Sequence, residues 1–89
     1  MNAVIEMNGM QLSCTRATAS EILHYVNHRI RPGRFVQAVI ENDLMTAIEI
    51  ADAQDRLALP QTIRLLKSEA PADAYGSPDN FRAWIKLHD

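Results

Sequence analysis

Residues that begin or end helices recur at short intervals from residue 16 onward, and this spacing limits the chain to short helices. Arg31-Pro32-Gly33 ends one apolar segment, Asn42-Asp43 interrupts another, and Pro60 and Ser77-Pro78 each begin a new one. Proline disfavours helix in the residue before it but fits the first turn of a helix. Between these breaks, apolar residues recur at helical spacing. We therefore predict about five short helices joined by tight turns.

The first predicted helix runs from Ala19 to Arg29. It opens on a capping box formed by Thr18 and Glu21, in which the threonine and the glutamate satisfy each other's backbone N–H groups. Its apolar face consists of Ile22, Leu23, Val26 and Ile30. The other predicted helices span residues 34–41, 44–56, 60–69 and 78–89. Phe35, Val36, Val39 and Ile40 form the apolar face of the second, and Leu44, Ala47, Ile48 and Ala51 that of the third.

A β-hairpin is predicted at the N-terminus. Asn8-Gly9 separates two short β-prone runs, and this dipeptide favours the tight turn because both residues tolerate positive φ. An isolated hairpin is marginally stable, so it must pack on helices or pair its edge with another chain. The predicted fold is mainly α, or α+β with the hairpin counted. It forms one compact domain over residues 1–89, with the hairpin at 1–15 and the helical part at 16–89.

Composition narrows the functional classes. The 89 residues carry 9 basic and 11 acidic side chains, a net charge of −2, whereas a generic nucleic-acid binder is expected to be basic. The single cysteine, Cys14, cannot form an intrachain disulfide, which favours a reducing cytoplasm. We see no secretory signal, membrane span or enzyme motif. We expect no catalytic residue, no metal site and no cofactor.

Arginines concentrate in one stretch of the chain. Between Arg16 and Arg34 there are four arginines, and the only acid is Glu21. Arg29, Arg31 and Arg34 lie beside a predicted helix start, where guanidinium and backbone N–H groups both favour anions. These arginines therefore predict a site for a phosphate-bearing ligand or an acidic protein patch. The alternative is that they pair with acids on the protein's own surface: Asp43, Asp52 or Asp55.

The loop Tyr75-Gly76-Ser77 is the second candidate element of this site. It precedes a helix that Ser77 caps, where free N–H groups gather. A loop tyrosine beside glycine can stack on a flat ligand, or it can instead hold the loop against the core. We therefore predict a binding surface made of Arg29, Arg31, Arg34, Tyr75, Gly76 and Ser77.

Other patterns are weaker. Residues 45–69 have a helix-turn-helix outline with Gln61, Arg64 and Lys67 outward, although acidic residues flank it and phosphate contacts dominate DNA affinity. Glu21, His24 and His28 share a helix face and could supply part of the ligand set of a metal site, but the sequence shows no neighbouring cluster that would complete it. A solvated polar face is the simpler interpretation of these three residues. Cys14 is interpreted as a small apolar residue.

The stretch from Pro32 to Leu44 (PGRFVQAVIENDL) resembles a pattern, P-G-x-F-x-x-A-V-L-x-N-D-L, of small phage and prophage proteins of uncharacterised function. The resemblance extends over residues 30–84. Two positions depart from it: Tyr75 stands where tryptophan is expected and Asp55 where asparagine is expected. The resemblance implies phage origin and a small helical accessory protein, with no known reaction.

The leading hypothesis is a non-enzymatic phage or prophage protein of the host-cell cytoplasm. It acts by stoichiometric binding, in counter-defence against a host protein or by sequestering a phosphate-bearing small molecule. One alternative is a small DNA-binding regulator that uses residues 45–69, and another is a structural or assembly component. Homo-oligomerisation is expected, because a small core and a hairpin edge gain stability from pairing.

Overall fold

The computed structural model describes the backbone of residues 2–7 and 10–86 and the side chains of residues 15–86. Within this part the chain is mainly helical, with six α-helices and one 3₁₀ turn. Two strands precede them: β1 (Asn2–Met7) and β2 (Met10–Thr15). The helices are α1 (Arg16–His28), α2 (Arg34–Ile40), α3 (Leu44–Ile50), α4 (Ala53–Leu57), α5 (Leu59–Glu69) and α6 (Pro78–Lys86), with the 3₁₀ turn at Ala72–Ala74.

The two strands pair antiparallel, with Ile5 opposite Leu12 and Met7 opposite Met10. The Asn8-Gly9 turn that would join them lies outside the described residues. The hairpin therefore stays a prediction. The interpretation of Cys14 as a small apolar residue concerns a side chain that is also outside the described part.

Helix α1 begins three residues earlier than predicted. Thr15, and not Thr18, is its cap, because the Thr18 backbone N–H donates to Thr15 Oγ1 at 3.0 Å. Both threonines have the chemistry of an N-cap, and the sequence pattern selected the wrong one. The capping box is thus wrong, and Glu21 accepts a hydrogen bond from elsewhere: its carboxylate binds the backbone N–H of Gly33.

Helix α1 also ends before the Arg31-Pro32-Gly33 turn. Arg29 adopts a left-handed conformation with φ 57°, and the Ile30 N–H donates to the His24 carbonyl at 3.3 Å. A left-handed residue followed by a hydrogen bond to the carbonyl six residues earlier is the Schellman motif, which ends a helix. Ile30 lies beyond it and is half exposed, so the prediction that it belongs to the apolar face is wrong.

The predicted face of α2 is confirmed: Phe35, Val36, Val39 and Ile40 are all buried. Asn42 ends the helix in a left-handed conformation with φ 63°. The side chain of Asp43 then accepts from the Thr46 N–H at 3.3 Å and caps α3, which begins at the residue predicted from the Asn42-Asp43 break. The tight connection places α3 directly against α2.

The single helix predicted over residues 44–56 is wrong, because α3 ends at Ile50 and α4 begins at Ala53. The Asp52 side chain accepts from the Asp55 N–H at 2.8 Å and starts the new helix. Residues 45–69 therefore lie in three helices, and not in the two that were predicted for this segment.

Tyr25 lies at the centre of the core, fully buried. Its ring stacks on Phe81 with a centroid distance of 5.5 Å. Its hydroxyl donates to the Ala74 carbonyl at 2.6 Å, and its own carbonyl accepts from Trp84 Nε1 at 2.9 Å. Burial raises the pKa of the Tyr25 phenol above its ordinary value. One residue of α1 thus holds both the 3₁₀ turn and α6.

Helix α6 begins as predicted, since the Asn80 N–H donates to Ser77 Oγ at 3.1 Å. Phe81 is buried in the core, and Trp84 and Ile85 are partly buried against it. In the part of the chain that the structure describes, none of the helices has the length and apolarity needed to span a membrane.

Candidate binding site

Arg29 is held by the C-terminal helix. Its guanidinium carbon lies 3.7 Å from the centroid of the Trp84 ring, and Nη1 donates to the Trp84 carbonyl at 3.4 Å. A guanidinium over an indole face is stabilised by the ring's negative quadrupole. The sequence predicted this arginine as a ligand contact, and the structure gives it a partner within the protein.

Arg31 and Arg34 both lie at the start of α2, Arg31 in the preceding turn and Arg34 as the first residue of the helix. The Arg31 guanidinium carbon is 5.4 Å from the Phe81 ring, and Nη1 donates to Gln37 Oε1 at 3.4 Å. Arg34 lines a shallow cavity of about 130 Å³ together with two acidic side chains, Glu41 and Asp43. The acids around Arg34 make this a poor place for another anion.

The predicted alternative, in which the arginines pair with Asp43, Asp52 or Asp55, is not seen either. Within residues 15–86 the structure contains one ion pair, between Arg82 and Asp79 on the surface of α6. The charge excess of the arginine stretch is therefore not neutralised by direct pairing with these carboxylates.

The backbone N–H at the start of α2 already has an anionic partner. The Glu21 carboxylate accepts from the Gly33 N–H, at the helix start where the sequence predicted an external anion. The approach is close, since a Cβ added at Gly33 would lie 2.9 Å from Glu21 Oε1. The only acid of the arginine-rich stretch thus takes the position predicted for a ligand.

The Tyr75-Gly76 loop is fixed by hydrogen bonds on both sides. The Gly76 N–H donates to the Ile40 carbonyl at 2.7 Å, and Asn80 Nδ2 donates to the Tyr75 carbonyl at 2.9 Å. Gly76 has φ 103°, a conformation that side-chain-bearing residues rarely adopt. Tyr75 and Gly76 therefore present a preformed surface, while Ser77 serves as the cap of α6.

That surface forms one wall of a cavity of about 300 Å³. The apolar walls come from α2, α3 and α5, and the rim carries an amide and an ammonium group. The lining consists of Val39, Asn42, Leu44, Ile63, Lys67, Tyr75 and Gly76. Two of the predicted site residues, Tyr75 and Gly76, therefore line a cavity. The three predicted arginines are not among the described residues that line it.

Helix α3 turns much of its apolar surface outward. Ala47 is its only buried residue, whereas Leu44, Met45 and Ile48 are exposed at 37%, 81% and 44%. Ile48 lies three residues after Met45 and four after Leu44, so its side chain neighbours both of theirs on the helix surface and connects the three into one patch. We call Leu44, Met45 and Ile48 the α3 face. Leu44 and Ile48 were predicted to face the core, and that prediction is wrong.

Acidic residues lie beside the α3 face along the chain. Residues 41–55 contain five acids and no base. Asp43 precedes the helix, and Glu49 lies one turn after Met45 and is exposed. Lys67 of α5 lies at the Leu44 end of the face, since both residues line the same cavity. An exposed apolar patch with polar residues beside it is typical of an interaction surface.

A polar cluster connects α1 to α4. Thr15 Oγ1 donates to Thr18 Oγ1 at 2.7 Å, and Thr18 Oγ1 donates to Asp55 Oδ1 at 3.3 Å. Burial raises the pKa of the Asp55 carboxyl, and nearby Asp52 raises it further, against the lowering effect of the threonine hydrogen bonds. The cluster is structural, because it ties the start of α1 to the start of α4.

The weaker candidate sites do not assemble in the described part of the chain. The His24 and His28 rings are 6.2 Å apart, but the Glu21 carboxylate binds Gly33. No group of three metal-ligating side chains of the kind that could hold an ion occurs among the described residues. Gln61, predicted to point outward toward DNA, is half-buried, whereas Arg64 and Lys67 are exposed.

Sequence reasoning missed the α3 face, Asn42 and the role of Lys67 in the cavity. The five acids without a base in residues 41–55 were the available signal for the α3 face, since segments that carry one sign of charge are often interaction segments.

In comparisons with protein-family models, with curated proteins and with solved structures, no match to this chain was found.

Proposed function

We propose that this chain is a non-enzymatic binding protein that acts stoichiometrically on a protein partner through the α3 face. The observation that carries the proposal is the outward position of Leu44, Met45 and Ile48 on a helix that buries only Ala47. Contiguous exposed apolar side chains mark interaction surfaces, because leaving them in water forgoes the stabilisation that burial gives.

Two acids close to the α3 face specify the partner's chemistry. Asp43 directly precedes Leu44, and Glu49 is exposed one turn after Met45, so the complementary segment has apolar anchors flanked by lysine or arginine. An amphipathic helix meets both requirements, since it presents apolar residues at the same spacing as the α3 face. The charges accelerate association and fix orientation, while the apolar anchors supply affinity.

The proposed partner is a host protein and the proposed setting is the cytoplasm of a phage-infected or lysogenic cell. This part of the proposal rests on the resemblance of residues 32–44 to small phage proteins, and on the single cysteine, Cys14. Counter-defence by occupying a host protein is the corresponding role. Binding of one protein by another needs no reaction, which suits a small fold with a preformed surface.

A fluorescence-anisotropy titration tests the proposal with a labelled amphipathic helix of leucine and lysine as the probe. Met45→Ser is expected to weaken binding about fivefold or more, the effect of losing one apolar anchor. Leu57→Ser is the matched control, because Leu57 on α4 is 83% exposed, close to the 81% of Met45, but lies outside the α3 face. Exposed substitutions of this kind change stability by only about 0.5 kcal/mol.

Two results would overturn the proposal. One is equal affinity of the probe for the parent and Met45→Ser proteins. The other is a dimer, seen by sedimentation, that Met45→Ser dissociates, because the α3 face would then be covered by a second copy. A neutral helix of leucine and glutamine is expected to bind more weakly than the lysine-containing probe.

A further inference from the structure

The cavity beside Tyr75 and Gly76 has the size of a small-ligand site. Its volume is about 300 Å³, at the lower end of the range of small-molecule pockets. Pockets of this size that bind ligands are mostly apolar and carry a few polar groups that fix orientation. Here Val39, Leu44 and Ile63 supply apolar walls, and Asn42 and Lys67 supply the polar groups.

Lys67 gives the cavity its charge preference. Ile63 and Lys67 are four residues apart in α5, so an apolar wall and an ammonium group follow one another along the same side of the helix. Within the described part of the chain, Lys67 has no ion pair and no hydrogen bond. An ammonium is a compact point charge that binds carboxylate and phosphate alike.

The opposite wall is rigid before any ligand arrives. The Gly76 N–H is already bonded to the Ile40 carbonyl at 2.7 Å, and the Tyr75 carbonyl to Asn80 Nδ2 at 2.9 Å. These backbone groups are therefore not the ones that bind a ligand's anionic group; that role falls to the Lys67 ammonium and the Asn42 amide. A preformed wall lowers the entropy lost on binding.

We infer that this cavity binds a small molecule with an apolar body and one anionic head group. This inference does not depend on the function proposed for the α3 face, although Leu44 belongs to that face and also lines the cavity. The head group is a carboxylate or a phosphate monoester, which share the chemistry that Lys67 recognises. The apolar body packs against Val39 and Ile63, and the Tyr75 ring lies alongside it.

A titration followed by ¹H–¹⁵N correlation spectra tests the inference with four probes of one chain length: hexanoate, hexyl phosphate, hexan-1-ol and hexylammonium. The amide signals of Asn42 and Gly76 report on the cavity. The two anions are expected to shift these signals saturably, the alcohol to bind about fivefold more weakly, and the cation to produce no saturable shift. The tighter of the two anions identifies the head group.

Matched variants distinguish the contribution of the Lys67 charge to ligand binding from that of the cavity's apolar walls. Lys67→Met keeps an unbranched apolar side chain and removes the ammonium, so hexanoate binding should weaken about fivefold. Lys86→Met, on α6 and away from the cavity lining, should leave it unchanged. Met45→Ser should also leave it unchanged, which distinguishes this site from the α3 face. The inference fails if hexan-1-ol binds as tightly as hexanoate, if Lys67→Met has no effect, or if no probe shifts Gly76.

Discussion

The hydroxyl of Tyr25 donates a 2.6 Å hydrogen bond to the carbonyl oxygen of Ala74, 49 residues later in the chain. This bond fixes the 3₁₀ turn directly before the Tyr75-Gly76 loop, so the core of the protein positions one wall of the cavity. The same tyrosine stacks on Phe81 of α6. The preformed cavity wall therefore depends on a residue that does not line it.

Tyr25→Phe is expected to destabilise the protein while keeping the stack on Phe81. The substitution leaves the buried Ala74 carbonyl without its partner, which costs about 1–3 kcal/mol. In a domain of this size each kcal/mol lowers the melting temperature by about 4–8 °C. Urea denaturation measures the loss. Tyr75→Phe is the control, because the Tyr75 hydroxyl has no hydrogen-bond partner among the described residues. Equal stability of the Tyr25→Phe and parent proteins would contradict the hydrogen bond between the Tyr25 hydroxyl and the Ala74 carbonyl.

The Glu21–Gly33 contact predicts a non-additive pair of substitutions. Gly33 is the N-cap of α2 with φ −68°, which alanine adopts without strain. In a Glu21→Ala protein, Gly33→Ala should therefore change stability little, because the loss of unfolded-state entropy is offset by the poorer cap. In the parent, the new methyl group would displace the carboxylate from the Gly33 N–H, so the same substitution should be clearly destabilising. A double-mutant cycle is expected to give a coupling of about 1 kcal/mol. Additive effects would show that the contact does not form in solution.

Asp55 predicts a pH dependence of stability. Its pKa in the folded state is raised above the ordinary value of 3.8, chiefly by burial and then by Asp52. The folded state therefore holds the proton more strongly than the unfolded state. The stabilisation from protonated Asp55 is complete below the unfolded pKa and is lost as the pH rises through the folded pKa.

Asp55→Asn removes this dependence. Relative to the parent, the variant should gain unfolding free energy as the pH is raised from about 3 to about 7, in chemical denaturation at a series of pH values. Comparing the two proteins at each pH cancels most other titrations. A difference that is constant with pH, or that changes in the opposite direction, would contradict the raised pKa.

Helix signals in the sequence predicted much of the fold because several depend on neighbouring residues alone. Asp43 and Ser77 cap the helices predicted for them, and Phe35 and Val39 lie on a buried face. The cap of α1 was missed because Thr15 and Thr18 are three residues apart and chemically equivalent. The break at Asp52 was missed because no proline or glycine marks it.

The binding surfaces were harder to predict because periodicity shows which residues share a face but not which face another element covers. Leu44 and Ile48 have the spacing of core residues, yet they are exposed on α3. The cavity depends on Val39, Ile63 and Gly76, which come from three distant segments. Arg29 and Arg31 were assigned to a ligand, whereas they lie on aromatic rings of α6 that the sequence could not place beside them.

Charge at the border of the α3 face should control partner binding. Glu49→Gln removes an exposed acid one turn from Met45, so the affinity for the leucine–lysine helix should fall about twofold to fivefold at low salt. The loss should shrink as ionic strength rises, because salt screens exposed charges. Glu69→Gln, at the end of α5 and outside residues 41–55, is the control. An equal effect of the two substitutions would show that only net charge matters.

Mapping the leucine–lysine helix onto the parent protein in ¹H–¹⁵N correlation spectra shows whether the α3 face is the binding surface. We expect saturable shifts concentrated in the amides of α3 (Leu44–Ile50), and signals around Leu57 that stay in place. Shifts concentrated at Arg29–Arg34, or no saturable shift in α3, would contradict it.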